Sequence, residues 1–337
     1  MHIDIILEGR SSANELAELS QLAESYGMGG VWITNMPDGR DPFVNLVRTA
    51  ESTNTISMGA TALSHYELHP MKMATALLTL NEIAGGRARL GVAAGGGGTP
   101  TAMGVPQKRR VRATRECVEI LQQACAGKAM KYSGEIYEIQ YYDTSWITQP
   151  PPLIFVCANG PQMLASAAKY ADGIMVGDHH PDHIRSVRKI IDAQLEATGR
   201  SKKNFRLNNL WAWHVKADYE DAKREARNWL GVRATPYKDW YLDDVLDAES
   251  MKFVQKNIGA FLDAYNNQTG IIEGVPEEIV DGLIEGSTST AGYENLDKEI
   301  ERLKDFAAAG LTDIALRLYE NPAESIRLIG ERVMPEL

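Results

Sequence analysis

The sequence predicts a (β/α)8 TIM barrel, and three observations lead to it. Short β-rich runs alternate with amphipathic stretches eight times, the pattern of parallel strands with helices laid outside them. The 337 residues suit one barrel of about 250 residues enlarged by insertions, so a single domain over 1–337 is expected. The first glycine-rich turn follows the fourth strand and not the first, which disfavours a doubly wound dinucleotide-binding sheet.

The elements follow in order. His2 to Leu7 reads as the first strand, and a helix from Ser12 to Tyr26 follows, capped by Ser12 or Asn14 and stopped by Gly27. Gly30 to Thr34 is the second strand and Pro42 to Ser52 its helix; Thr55 to Ala62 is the third, with Pro70 opening a helix that Gly85 and Gly86 close. Ala88 to Ala94 is the fourth strand and Arg112 to Ala126 its helix. Leu153–Ala158, Gly173–Val176, Phe205–Val215 and Thr312–Leu316 supply the last four strands. Their helices fall near Gln162–Lys169, Pro181–Thr198, Tyr219–Trp229 and Pro322–Val333. Two insertions break the rhythm. The tyrosine-rich stretch at about 128–152, after strand four, reads as a surface hairpin, and about 234–300, after strand seven, reads as a largely helical lid or subunit contact.

Composition narrows the function. With 45 acidic against 35 basic residues the net charge is −10, which argues against general affinity for nucleic acid. No stretch is apolar enough for a membrane span, and the charged N-terminal run lacks a signal-peptide layout. Cys117, Cys125 and Cys157 show no CxxC spacing, so a reducing, cytoplasmic setting is expected.

In such a barrel the reacting groups lie at the C-terminal ends of the strands. That rule selects Glu8, Thr34, Asn35, the 61–65 stretch, Gly95 and Gly96, Asn159 and Gly160, Asp178 to His180, Trp213, His214, Arg317 and Tyr319. Asn159-Gly160-Pro161-Gln162 opens a helix and offers a phosphate seat, or merely a capped turn. The run Lys108, Arg109, Arg110, Arg112 and Arg115 sits at a helix start, where an anion would relieve its conflict with the helix dipole; a solvated basic face is the plainer reading. Asp178 to His183 tempts a metal assignment, but it has neither HxH nor HExxH spacing, and no metal is expected. His65 and His180 remain candidate proton carriers.

Three motifs then come into view in order: Val31-Trp32-Ile33-Thr34, Gly85-Gly86-Arg87-Ala88-Arg89-Leu90-Gly91-Val92, and Asn159-Gly160-Pro161-Gln162-Met163-Leu164 with Ala171-Asp172-Gly173. Together they resemble the luciferase-like monooxygenase superfamily, and within it the coenzyme F420-dependent methylenetetrahydromethanopterin reductase-like oxidoreductases. The resemblance runs from about Ile3 to Val187 and resumes weakly at Gly310 to Leu328. It implies a bulged third strand with a non-proline cis bond near Thr61-Ala62 behind a flavin-like ring. The ring would lie among Thr34, Asn35, Thr61, Ala62, Leu63, Ala94, Gly95 and Gly96, with its anionic end near Arg110, Asn159, Gly160, Pro161 and Gln162. Two departures stand out. Asn35-Met36 replaces the Asp-His of many relatives, and only glycines follow strand four where some relatives carry Glu. Asn35 is then left as a hydrogen-bond donor to the ring, and Glu8, His65 and His180 as proton donors or acceptors.

The resulting expectation is an oxidoreductase passing hydride between F420 at the barrel mouth and a small organic substrate. The alternative is an FMN-dependent monooxygenase using a separately reduced flavin. Partners would be that substrate, a flavin or F420 reductase as supplier, and a second copy in a homodimer. The rival class, a metal-dependent hydrolase, would use His2, Asp4 and the Asp178–His183 turn.

Overall fold

A computed structural model describes residues 1–95, 98–234 and 245–337. The chain runs β1 (His2–Leu7), α1 (Ala13–Ser25), β2 (Gly30–Thr34), α2 (Pro42–Ser52), β3 (Ser57–Ser64), α3 (Pro70–Ile83), β4 (Ala88–Ala93), α4 (Thr99–Ala102) and α5 (Arg110–Ala124). After these come β5 (Met130–Ser133), β6 (Glu138–Tyr142), β7 (Leu153–Cys157), α6 (Pro161–Ala167), β8 (Gly173–Gly177), α7 (Pro181–Ala197), β9 (Arg206–Lys216) and α8 (Tyr219–Ala234). The remainder is α9 (Ala248–Lys256), α10 (Ile258–Asn267), α11 (Glu277–Ser287), β10 (Thr288–Gly292), α12 (Leu296–Ala308), β11 (Asp313–Arg317) and α13 (Pro322–Leu328).

Parallel pairing runs β1-β2-β3-β4-β7-β8-β9-β11 and returns to β1, which closes the (β/α)8 barrel. Helix starts are set locally. Ser12, not Asn14, caps α1 by accepting the Glu15 amide at 3.3 Å, and Asp41 caps α2 through the Val44 amide at 2.9 Å. Proline at the first turn opens α2, α3, α6, α7 and α13. Gly27 takes φ +78 just after α1, a conformation that costs a residue with a side chain more.

The strands sort their residues by the two-residue period. On β1, Ile3, Ile5 and Leu7 face the helices in the large outer core, while Ile6 joins Trp32, Phe155, Met175 and Ala315 inside the barrel. Gly59 makes room for this interior layer, since a Cβ there would lie 2.8 Å from the Trp32 ring. Below it Asp4, fully buried, accepts from Trp32 Nε1 at 2.9 Å and Arg89 Nη1 at 3.0 Å, and Arg206 pairs with Asp313. Burial pushes the Asp4 carboxyl above its ordinary range, and Arg89 opposes that. These contacts place Asp4 at the barrel end opposite the Asp178–His183 turn, so the hydrolase site of the rival reading is split apart.

The hairpin is present: β5 and β6 pair antiparallel, and buried Glu116 accepts the amides of Glu135, Ile136 and Tyr137 at its turn. The second insertion is helical in α9, α10 and α11, which share a small apolar cluster of their own with α8. It also holds β10, a strand that the sequence pattern did not reveal. β10 pairs with the second half of β9, from Ala212 to Lys216, beyond the segment that β8 uses and sharing only Ala212 with that of β11. Residues 235–244 of that insertion lie outside the described residues. Among those described, no helix is long and apolar enough to cross a membrane.

Candidate active site at the barrel mouth

A cavity of about 620 Å³ opens at the C-terminal ends of the strands. Thr34, Asn35 and Met36 border it from β2, Thr61 and Ala62 from β3, and Ala93, Ala94 and Gly95 from β4. Cys157, Ala158, Asn159 and Met163 follow β7, Met175 to Gly177 end β8, and Leu210 and Arg317 complete the ring of strands. Such a mouth follows from strand polarity, because every parallel strand delivers its last interior side chain there.

The side of the cavity formed by β3, β4 and Ala158 carries no side chain larger than threonine. Here β3 bulges, its register with β4 shifting between Ala60 and Leu63, and the Thr61-Ala62 peptide is cis, as the family resemblance implied. The Thr61 hydroxyl lies 3.2 Å from Met175 Sδ and 3.5 Å from Cys157 Sγ. Gly91 keeps this space open, since a Cβ there would stand 2.8 Å from Cys157 Sγ and 3.1 Å from the Thr61 hydroxyl. Burial raises the Cys157 thiol to about 11, so it stays protonated at neutral pH. Thr34 is fixed in turn: its hydroxyl accepts the Gly9 amide at 2.9 Å.

Of the residues expected around a ring, Thr34, Asn35, Thr61, Ala62, Ala94, Gly95, Arg110 and Asn159 converge on this cavity. Gly96 lies outside the described residues. Leu63 does not reach the cavity; the bulge resets the alternation and turns it into the outer core. Gly160, Pro161 and Gln162 do not border it either, and Gln162 lines a separate groove with Arg115 and Lys169. The turn instead contributes Asn159, whose Oδ1 accepts the Gly177 amide at 2.9 Å and so ties β7 to β8.

The basic run divides. Arg109 and Arg112 pair with Glu135, and Arg115 pairs with Glu119 at 2.6 Å. Arg110 borders the cavity and makes no ion pair among the described residues. It is the cation of that run available to an anion in the mouth. Gln107 and Thr101 flank it.

The proton carriers fare unequally. His65 is buried behind the wall, with Nδ1 2.9 Å from the Tyr137 hydroxyl and Nε2 3.0 Å from the Thr114 hydroxyl. Burial lowers its pKa to about 4, so it pins the hairpin to α5 as a neutral ring instead of serving the mouth. His180 caps α7, 3.9 Å from Asp182, and does not border the cavity. Glu8 does not itself border the cavity but is tied to a residue that does. It receives Arg317 Nη2 at 2.7 Å, and Arg317 borders the cavity.

Arg317 is a residue that the strand-end rule selected without giving it a role. Its guanidinium lies 4.9 Å from the Trp229 ring and 5.2 Å from that of Tyr319. Tyr319 and Asp178 both bind Arg233, so α8 contributes Trp229 and Arg233 to the wall beside Glu8. Below them, buried His214 pairs with Glu225 at 2.7 Å and stacks on Tyr319. Among the described residues no group of three or more His, Cys, Asp or Glu is disposed to hold a metal ion.

With this geometry in hand, comparison with known proteins gives a consistent result. The sequence profile described as luciferase-like monooxygenase matches residues 2–311. A 5,10-methylenetetrahydromethanopterin reductase from Archaeoglobus fulgidus is 31% identical over 329 residues, 96% of each chain. The solved coenzyme F420-dependent tetrahydromethanopterin reductase from Methanopyrus kandleri shares the fold, with a TM-score of 0.85 at 21% identity over 99% of this chain and 98% of that one. An F420-dependent secondary alcohol dehydrogenase, solved with an F420–acetone adduct, shares it with a TM-score of 0.80 at 17% identity over 99% and 98%.

Proposed function

This chain belongs to the luciferase-like monooxygenase family, and from that premise we propose that it is an oxidoreductase working with coenzyme F420 and a small organic substrate. The observation that carries the reading is the small-residue face of Thr61, Ala62, Ala93, Ala94, Gly95 and Ala158, which fits a flat tricyclic ring, with Arg110 beside it for an anionic tail. The relatives named as F420-dependent support that cofactor over FMN. When bound, F420 supplies a hydride donor or acceptor.

The chain's own residues bind, orient and handle the proton. Thr34, Thr61 and Ala62 support the ring's face, and Arg110 takes the anion. Glu8 is our assignment for the group that gives or takes the proton, with Arg317 holding its carboxylate at the mouth. From α8, Trp229 stands against Arg317, which borders the cavity, and Arg233 binds Tyr319 beside it. A homodimer and a separate reductase as supplier complete the reading.

Titration of the purified chain with F420 and, in parallel, FMN tests the cofactor by fluorescence quenching. Submicromolar F420 binding with weaker FMN binding is expected; the reverse order returns the chain to the monooxygenase alternative. Turnover is then screened with methylenetetrahydromethanopterin and with secondary alcohols. Glu8→Gln is expected to lower kcat by roughly 100-fold or more while leaving F420 affinity within about threefold. An unchanged kcat removes Glu8 from the mechanism.

A further inference from the structure

Asn35 follows β2 at the edge of the cavity and is largely buried. Its backbone amide donates to the Thr61 carbonyl at 3.1 Å, which fixes it beside the bulge of β3. Its side-chain Nδ2 donates to Glu67 Oε1 at 2.7 Å. That same Oε1 accepts the Ser64 amide at 2.6 Å. A backbone N–H can only donate and a carboxylate oxygen can only accept, so with Glu67 ionised the group Asn35 turns toward it must be the NH2. The two ends of the amide are thereby told apart. Asn35 Oδ1 has no hydrogen-bond partner among the described residues and is not one of the fully enclosed polar atoms. It opens onto the cavity.

We propose that Glu67 is a specificity-determining positioning residue, which locks the Asn35 amide so that the mouth presents a carbonyl oxygen and selects a ring offering N–H or O–H on that edge. The inference reverses the role expected for Asn35, from donor to acceptor, and rests on the reading of the cavity as a ring site. Glu67 can enforce the choice because it is itself held, in a tight loop where its own amide donates to the Ser64 carbonyl at 3.2 Å. A ring presenting a bare acceptor there would leave two oxygens facing each other, a mismatch that discriminates by tenfold or more at roughly the cost of one unpaired buried group.

The test first sets a second carboxylate against Glu67 and then removes Glu67. Asn35→Asp sets two carboxylates against each other and is expected to lower Tm and weaken F420 binding about tenfold or more at pH 8. In the double variant with Glu67→Leu the opposing carboxylate is gone, and Asp presents an oxygen to the mouth whichever way it turns. F420 affinity should then return to within about threefold of the unchanged chain, with Tm recovering to that of Glu67→Leu alone. Recovery of Tm without recovery of F420 affinity would mean that the mouth needs a donor, and overturns the proposal; so does an Asn35→Asp chain that binds F420 normally. Should the double variant not fold, Glu67→Leu frees the amide, and unchanged F420 affinity in that chain overturns the lock. If the unchanged chain binds neither F420 nor FMN, the cofactor reading itself falls, an outcome distinct from these and visible before any substitution is made.

Discussion

Both ring nitrogens of His65 are committed, to Tyr137 and to Thr114, and burial holds the imidazole neutral with a pKa of about 4. The linkage follows from proton counting. Between the ordinary histidine pKa near 6.5 and about 4, the unfolded chain binds a proton that the folded chain does not, so stability falls as pH falls through that window. The full loss is on the order of 3 kcal/mol, complete near pH 4. His65→Gln, which cannot titrate, is expected to flatten the pH dependence of urea unfolding between pH 6.5 and 4; an unaltered slope would show that other groups set it. Residues of this kind are where sequence reading reached its limit. A histidine just past a strand end has the right address for catalysis, but its burial depends on Tyr137, 72 positions away. The Asn35–Glu67 and Glu8–Arg317 pairs, 32 and 309 positions apart, are equally invisible along the chain.

At the scale of elements, the legible parts were those with a local cause. Caps and first-turn prolines set the helix starts, and short β-rich apolar runs marked the eight barrel strands. β10 escaped because Thr288-Ser289-Thr290 is polar on both faces; it is buried through its ladder with β9 and the bond from Trp211 Nε1 to the Ser289 hydroxyl at 2.9 Å. The turn expected to seat a phosphate is only partly at the cavity. α6 is only seven residues long, and its first turn lies outside the cavity that its preceding Asn159 borders. α8 carries the prediction that belongs to this scale. Its Arg233 is buried with Asp178 and Tyr319, and burial alone would push the Asp178 carboxyl upward. Arg233→Met leaves that carboxylate without its partner and should cost about 3–5 kcal/mol in urea unfolding. Adding Asp178→Asn should recover much of the loss; no recovery would assign the cost to packing instead of charge.

For the whole molecule, the barrel was readable because one unit repeats eight times, and the location of the site was readable because all eight strands point the same way. The net charge of −10 gives no hint of an anionic ligand, yet Arg110 supplies a local exception within the mouth. Arg110→Gln is expected to weaken F420 about tenfold while leaving the affinity of the tail-less deazaflavin ring within twofold, measured by fluorescence titration. Equal losses for both would place Arg110 against the ring and not the tail. The double use of β9 has a broader consequence. The excursion that leaves this strand through α8 comes back to it through β10, and its middle helices pack on one another around a private core. Departure and return are therefore stitched to the same eleven-residue rail. The 53 positions between α8 and β10 (235–287) could be exchanged for another segment that covers Ala226 and Leu230 of α8, while the barrel beneath kept its shape, much as a lens is swapped in a fixed mount.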